Sequence, residues 1–97
     1  MTTLDWLHYD ALFSVLTSHG FTSEPNKNGG LTFRHPHGEI LMFPPVKPTD
    51  PVVNYHYAAV RMAMRDYEIM PLDAFELALL QAAHANRSEP SRVPALV

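Results

Sequence analysis

The sequence predicts an α+β domain built as α-β-β-β-α, with a three-stranded antiparallel meander, helices on one of its faces and a further C-terminal helix. Three observations carry this. Gly20 follows a run of apolar residues at helical spacing and is the residue type that ends a helix in the left-handed conformation without steric cost. Asn28-Gly29 then supplies a hairpin signal between two short β-like runs. Finally, Pro44, Pro45, Pro48 and Pro51 punctuate the step from a third apolar run, Glu39 to Phe43, into two more helical patterns.

Taken in order, the first helix is expected from Leu4 to His19, capped by Thr2 or Thr3, with Asp5 in its first turn. Leu4, Leu7, Ala11 and Val15 form one apolar stripe, and Trp6, Tyr9, Phe13 and Leu16 form another. Two stripes mean either deep burial or contact with a partner. The first strand runs from Phe21 to Asn26, with Pro25 marking it as an edge. The second runs from Leu31 to His35, pointing Leu31, Phe33 and His35 one way and Thr32 and Arg34 the other. After Pro36-His37-Gly38, the third strand (Glu39 to Phe43) is apolar on both faces, so both faces are expected to be covered, or one held against a partner. Asp50-Pro51 reads as an N-cap and N1 pair opening a helix that continues to Tyr67, with Val52, Tyr55, Ala59, Met62 and Ala63 on its buried face. Pro71 opens the last helix, to Ala85, with Leu72, Phe75, Leu79 and Ala82 or Ala83 inward. The expected core unites Val15, Leu31, Phe33 and Met62. Residues 1–85 thus form one domain, and 86–97, with Pro90 and Pro94, an irregular tail whose Val93 to Val97 end is apolar enough to dock.

Ninety-seven residues without cysteine bound the chemistry. Disulfides and thiolate metal sites are excluded, and a reducing compartment is compatible. No signal-peptide pattern and no run of membrane-span length is visible, so a cytoplasmic location without membrane contact is expected. The formal charge of −3, with basic residues scattered, argues against a broad phosphate-binding surface.

Leu16, Gly20 and Phe21, then Phe33, His35 and Pro36, then Ile40 to Pro44, then Tyr55 to Tyr67 with Asp73 to Phe75, occur in an order and spacing that resembles the HicA-type toxins, which share the small fold of double-stranded-RNA-binding domains. The likeness spans Ala11 to Leu79. It implies an RNA-directed, toxin-type module with a HicB-like antitoxin as partner. The family's catalytic histidine sits in a Gly-Ser-His pattern three residues before the aromatic. Here Asn28, Gly29 and Gly30 take those positions, ahead of Phe33. Attack by a ribose 2′-hydroxyl needs a base of near-neutral pKa, which glycine lacks. The resemblance therefore implies a catalytically degenerate member. A non-catalytic module that self-associates or binds another protein is the alternative, and whether the chain is an enzyme stays open.

Six histidines supply the remaining candidates. His35 and His56 are the weak catalytic ones. His35, His37 and Glu39 could ligate a metal if they converged, but Pro36 turns the chain between them, and an exposed turn is the simpler reading, so no metal or other cofactor is expected. His56 and Arg61 are five residues apart on a helix and do not share a face. Arg34, Asn54, Arg61 and Arg65 are the candidates for RNA or an acidic partner, set against an ordinary solvated face with Arg65 paired to Glu68. Trp6, Tyr9, Phe13 and Phe43 are the candidates for self-association into a homo-oligomer.

Overall fold

The computed structural model describes the backbone of residues 2–96 and the side chains of residues 2–85. The elements are β1 (Thr3–His8), α1 (Tyr9–Ser18), β2 (Thr22–Pro25), β3 (Leu31–Arg34), β4 (Ile40–Phe43), β5 (Pro51–Val53), α2 (Asn54–Asp66) and α3 (Leu72–Leu96). The architecture is α+β, with the expected antiparallel meander in the order β2-β3-β4. Registers run Thr22–Arg34–Ile40 and Glu24–Thr32–Met42 on one face, Ser23–Phe33–Leu41 and Pro25–Leu31–Phe43 on the other.

The largest departure from expectation lies at the N-terminus. Thr3–His8 is a strand and not the first turns of a helix, and it pairs antiparallel with β5 as a separate two-stranded ribbon. Thr3, Leu4, Asp5 and Trp6 alternate between exposed and half-buried, the period of a strand. The partner strand occupies Pro51–Val53, so Asp50-Pro51 does not open α2; Asp50 instead accepts the Lys47 N–H on its carboxylate at 2.9 Å.

The proline-rich connection has a structural task. Tyr9 N–H donates to the Asp50 carbonyl at 3.1 Å and Asp10 N–H to the Pro48 carbonyl at 3.0 Å, which satisfies two of the free donors at the start of α1. The N-cap residue His8 makes no side-chain cap, so the expected threonine cap does not form; within the first turn Asp10 Oδ1 accepts the Ala11 N–H at 2.6 Å. At the other end Gly20 adopts φ 99° and Phe21 N–H reaches the Leu16 carbonyl at 3.1 Å, the expected glycine stop.

The β2–β3 turn differs from the expected two-residue type. Gly29 N–H bonds the Asn26 carbonyl at 3.1 Å, and only Gly29 is left-handed, at φ 89°. Asn26 Oδ1 accepts the N–H groups of Asn28 and Gly30, at 3.1 and 3.0 Å, which favours a longer turn over one centred on Asn28-Gly29.

The core is continuous through Leu7, Tyr9, Leu12, Leu16, Phe21, Phe33, Phe43, Val52, Val60, Met64, Phe75 and Leu79. Phe13, half-buried, meets Phe33 and Phe43 at ring distances of 5.0 and 5.1 Å, which seats α1 on the meander. α3 packs on α1 as well, and the members of both expected stripes that do lie on α1, Ala11 and Val15 on one and Tyr9, Phe13 and Leu16 on the other, are buried or half-buried within the chain. Val15 and Phe33 are buried and Leu31 half-buried as expected, whereas Met62 is exposed. The inward face of α2 is His56, Val60, Ala63 and Met64; Tyr55 and Met62 look outward. Starting the helix at residue 51 put the wrong residues in phase. In α3, Phe75, Leu79 and Ala83 are buried as expected. That helix continues past Ala85, and the side chains of the expected tail, Val93 to Val97 among them, lie outside the described residues.

Candidate functional site

The catalytic candidates are occupied by structural work. His35 follows β3. Its Nε2–H donates to the His19 carbonyl at 3.0 Å and its Nδ1 accepts the His37 N–H at 3.0 Å. Both ring nitrogens are thus used in holding the β3–β4 turn against the end of α1, and the ring lies 4.8 Å from that of Phe21. His37 donates from Nδ1 to the Tyr67 carbonyl at 2.9 Å, and His19 to the Val15 carbonyl at 2.9 Å. Among the described residues, no group of three histidines or carboxylates comes together as a metal site.

His56 is buried in the first turn of α2, beside the rings of Tyr9, Phe43 and Tyr55. Its Nδ1 lies 2.6 Å from the Tyr9 hydroxyl, which also accepts the Val53 N–H at 3.1 Å. With the hydroxyl donating to Nδ1, every polar atom of this contact is satisfied. Burial holds the His56 pKa below its ordinary value and raises that of Tyr9. Among the described residues no arginine or carboxylate is hydrogen-bonded to the ring, so none of them serves it as a phosphate clamp or leaving-group acid. The pair ties the β1–α1 junction to the β5–α2 junction.

This arrangement sets a pH dependence. The fold favours the neutral His56 ring, while the unfolded chain takes up the proton near pH ~6.5. The contribution is therefore complete above that pH and falls as the pH drops from about 6.5 to the lowered folded value, below which it changes no further. The urea midpoint should be lower at pH 5 than at pH 7.5, and His56→Gln should show a smaller decline. Equal declines in the two proteins would exclude His56 as the source.

The cationic candidates are each neutralised by a carboxylate. Arg34 pairs with Glu24 across β2 and β3 at 2.9 Å, and Arg61 with Glu76 across α2 and α3 at 2.9 Å. Tyr57 adds its hydroxyl to the same Glu76 oxygen at 3.3 Å. Arg65 pairs with Asp66 at 3.1 Å and not with Glu68, because Glu68 has left the helix with φ 53°. Asn54 donates its backbone N–H to the Thr2 carbonyl at 2.8 Å, joining α2 to the start of the ribbon. These four residues stand on two elements, Arg34 on β3 and the other three on α2, and form no common patch of free charge.

The aromatic candidates are core, not surface. Tyr9 and Phe43 are buried, and Trp6 and Phe13 are half-buried against the same cluster. Exposed apolar side chains lie elsewhere: Ile40 and Met42 on β4, at 49% and 65% exposure, Tyr55 and Met62 on α2, Leu77 and Leu80 on α3. On β4 the alternation buries Leu41 and Phe43 and leaves Ile40 and Met42 uncovered. Phe43, the self-association candidate on this strand, is on the covered face.

Position 30 has its own constraint. A Cβ on Gly30 would stand 1.9 Å from the Phe43 carbonyl oxygen, with Phe43 and Pro44 carbonyl carbons at 2.9 and 2.7 Å. This backbone approach leaves no room for any side chain. No helix among the described residues is long and apolar enough to cross a membrane. Compared with family models, with curated proteins and with solved structures, the chain matches none.

Proposed function

We propose that the chain is a non-catalytic protein-interaction module whose partner is a second copy of itself, docked along β4. The observation that carries this is the uncovered face of the meander, where Ile40 and Met42 are exposed on an edge strand. The His35 N–H bonds the Glu39 carbonyl at 2.9 Å, so by antiparallel alternation the backbone groups of Ile40 and Met42 turn away from β3 toward the open edge. Glu39 closes the Ile40 N–H with its own carboxylate at 2.8 Å. Antiparallel pairing centred on Met42 keeps that bond, and the two Met42 residues exchange both of their backbone hydrogen bonds. Met42 then faces its counterpart and Ile40 faces Pro44 of the second copy, which covers the exposed apolar side chains of both. The charged pair on the same sheet face, Arg34 with Glu24, is internally neutral and does not repel a copy. An edge of four residues is small, so the contact belongs with weak, transient interfaces.

Sedimentation equilibrium at high micromolar concentration tests it. Wild type should show a monomer–dimer equilibrium, and Met42→Lys, which places a charge on the edge, should be monomeric with an unchanged circular dichroism spectrum. A monomeric wild type ends the proposal.

A second reading is favoured by the succession α1, β2, β3, β4 and, after the short β5, α2, which follows the order implied by the likeness to HicA-type toxins apart from β5. On that reading the chain is a degenerate RNA-directed module held by a HicB-like antitoxin. It requires the Arg34, Arg61 and Arg65 pairs to open for phosphate. Fluorescence anisotropy with a labelled RNA separates the two: binding lost in Arg61→Ala would favour RNA.

A further inference from the structure

The end of α2 carries a residue that breaks three local rules at once. Glu68 occupies the position after the Tyr67 cap, with Glu68 N–H on the Arg65 carbonyl at 3.2 Å and Ile69 N–H on the Met64 carbonyl at 2.9 Å. This is the bonding pattern in which glycine is favoured, and Glu68 is the one non-glycine residue with positive φ among those described, at 53°. Its carboxylate stands at the negative end of the helix dipole, where a cation is the stabilising choice. That carboxylate also has no hydrogen-bond or ion-pair partner among the described residues, since Arg65 is bound to Asp66. Strained, like-charged and unpaired residues of this kind are characteristic of ligand sites.

Glu68 lines a cleft of about 370 Å³, within the size range of small-molecule sites. The rest of the wall is Met64, Ile69, Met70, Pro71 and Leu72, with Arg65 at the rim. Methionine side chains adapt to apolar groups of varied shape. With Arg65 and Asp66 cancelling each other, the rim retains the single negative charge of Glu68.

We infer that this cleft binds an apolar chain that ends in a cation, an ammonium or guanidinium group. The apolar part lies against Met64, Ile69 and Met70, and the cation pairs with Glu68, which also relieves the unfavourable end of α2. This site is separate from the β4 edge, and neither depends on the other.

The probes are n-hexylammonium and n-hexanoate, which share an apolar chain and differ in charge, titrated into the full chain with methyl NMR detection. Hexylammonium should produce saturable shifts at Met64, Ile69 and Met70, and hexanoate should bind at least about fivefold more weakly. Glu68→Gln should abolish this preference while leaving the fold intact. Glu68→Gly should abolish it and also raise the urea midpoint, since it removes the strain and the dipole conflict. A leucyl-lysine dipeptide blocked at both ends distinguishes the source: tighter binding than hexylammonium identifies a protein segment, weaker binding a free amine. Equal binding of the two hexyl probes, a preference that survives Glu68→Gln, or shifts confined to other methyls would overturn the inference.

Discussion

Gly30→Ala should lower stability by about 3–5 kcal/mol, enough to unfold much of a marginally stable domain of this size. The added Cβ would meet the Phe43 carbonyl oxygen at 1.9 Å and the Pro44 carbonyl carbon at 2.7 Å. Both are backbone atoms, so no rotamer change relieves the overlap. Either β3 must separate from the end of β4, breaking the Leu31–Phe43 register, or the Asn26–Gly30 turn must open and lose the two bonds to Asn26 Oδ1. Urea denaturation followed by circular dichroism reads the effect, and a midpoint within error of wild type would mean that the two backbones do not approach this closely. The same geometry bears on chemistry. A histidine cannot be installed at position 30 without dismantling the hairpin, so Gly30→His should unfold the chain and not create a ribonuclease.

Phe43→Ala should cost about 3–5 kcal/mol, whereas Met42→Ala, one residue away, should stay within ~0.5 kcal/mol of wild type. Phe43 is 4% exposed and its ring meets those of Tyr9, Phe13, Phe33 and His56 at centroid distances of 6.3, 5.1, 5.7 and 5.4 Å. Removing it opens a cavity that none of these stiff rings can fill, and it withdraws the packing that orients the Tyr9–His56 hydrogen bond. Met42 is 65% exposed and leaves no cavity behind. Paired urea titrations give the comparison. Similar losses in the two variants would mean that β4 is covered on both faces.

The parts of the fold set by neighbouring residues were legible in the sequence. Gly20 ends α1 as expected, the meander falls within a residue or two of its expected bounds, and Phe75, Leu79 and Ala83 form the buried stripe of α3. The parts set by distant residues were not. Thr3–His8 reads as helix because Leu4, Leu7 and Ala11 fall at helical spacing, and only pairing with Pro51–Val53, far along the chain, makes it a strand. A proline at the start of that partner suggested a helix opening instead. Placing Val52 in α2 then rotated the whole face toward Tyr55 and Met62. The ion-pair partners of Arg34 and Arg61 are hidden in the sequence for a similar reason: Glu76 reaches Arg61 from the next helix, and Glu24 reaches Arg34 from the next strand. The left-handed Glu68 carries no signal in sequence, since glutamate is ordinary in a helix and its conformation is fixed by where α2 stops.

The ribbon of β1 and β5 has a consequence for the order of folding. The meander joins strands that are close in sequence and can form from residues 20–43 with little loss of chain entropy. Leu4 pairs with Val52, and the first two N–H groups of α1 are met by the carbonyls of Asp50 and Pro48. Until residues 48–53 are present, the helix that fills the centre of the core lacks those two bonds, and the strand that leads into it has no partner. The hairpins can form first, and it is the packing of α1 on them that waits for the ribbon to close.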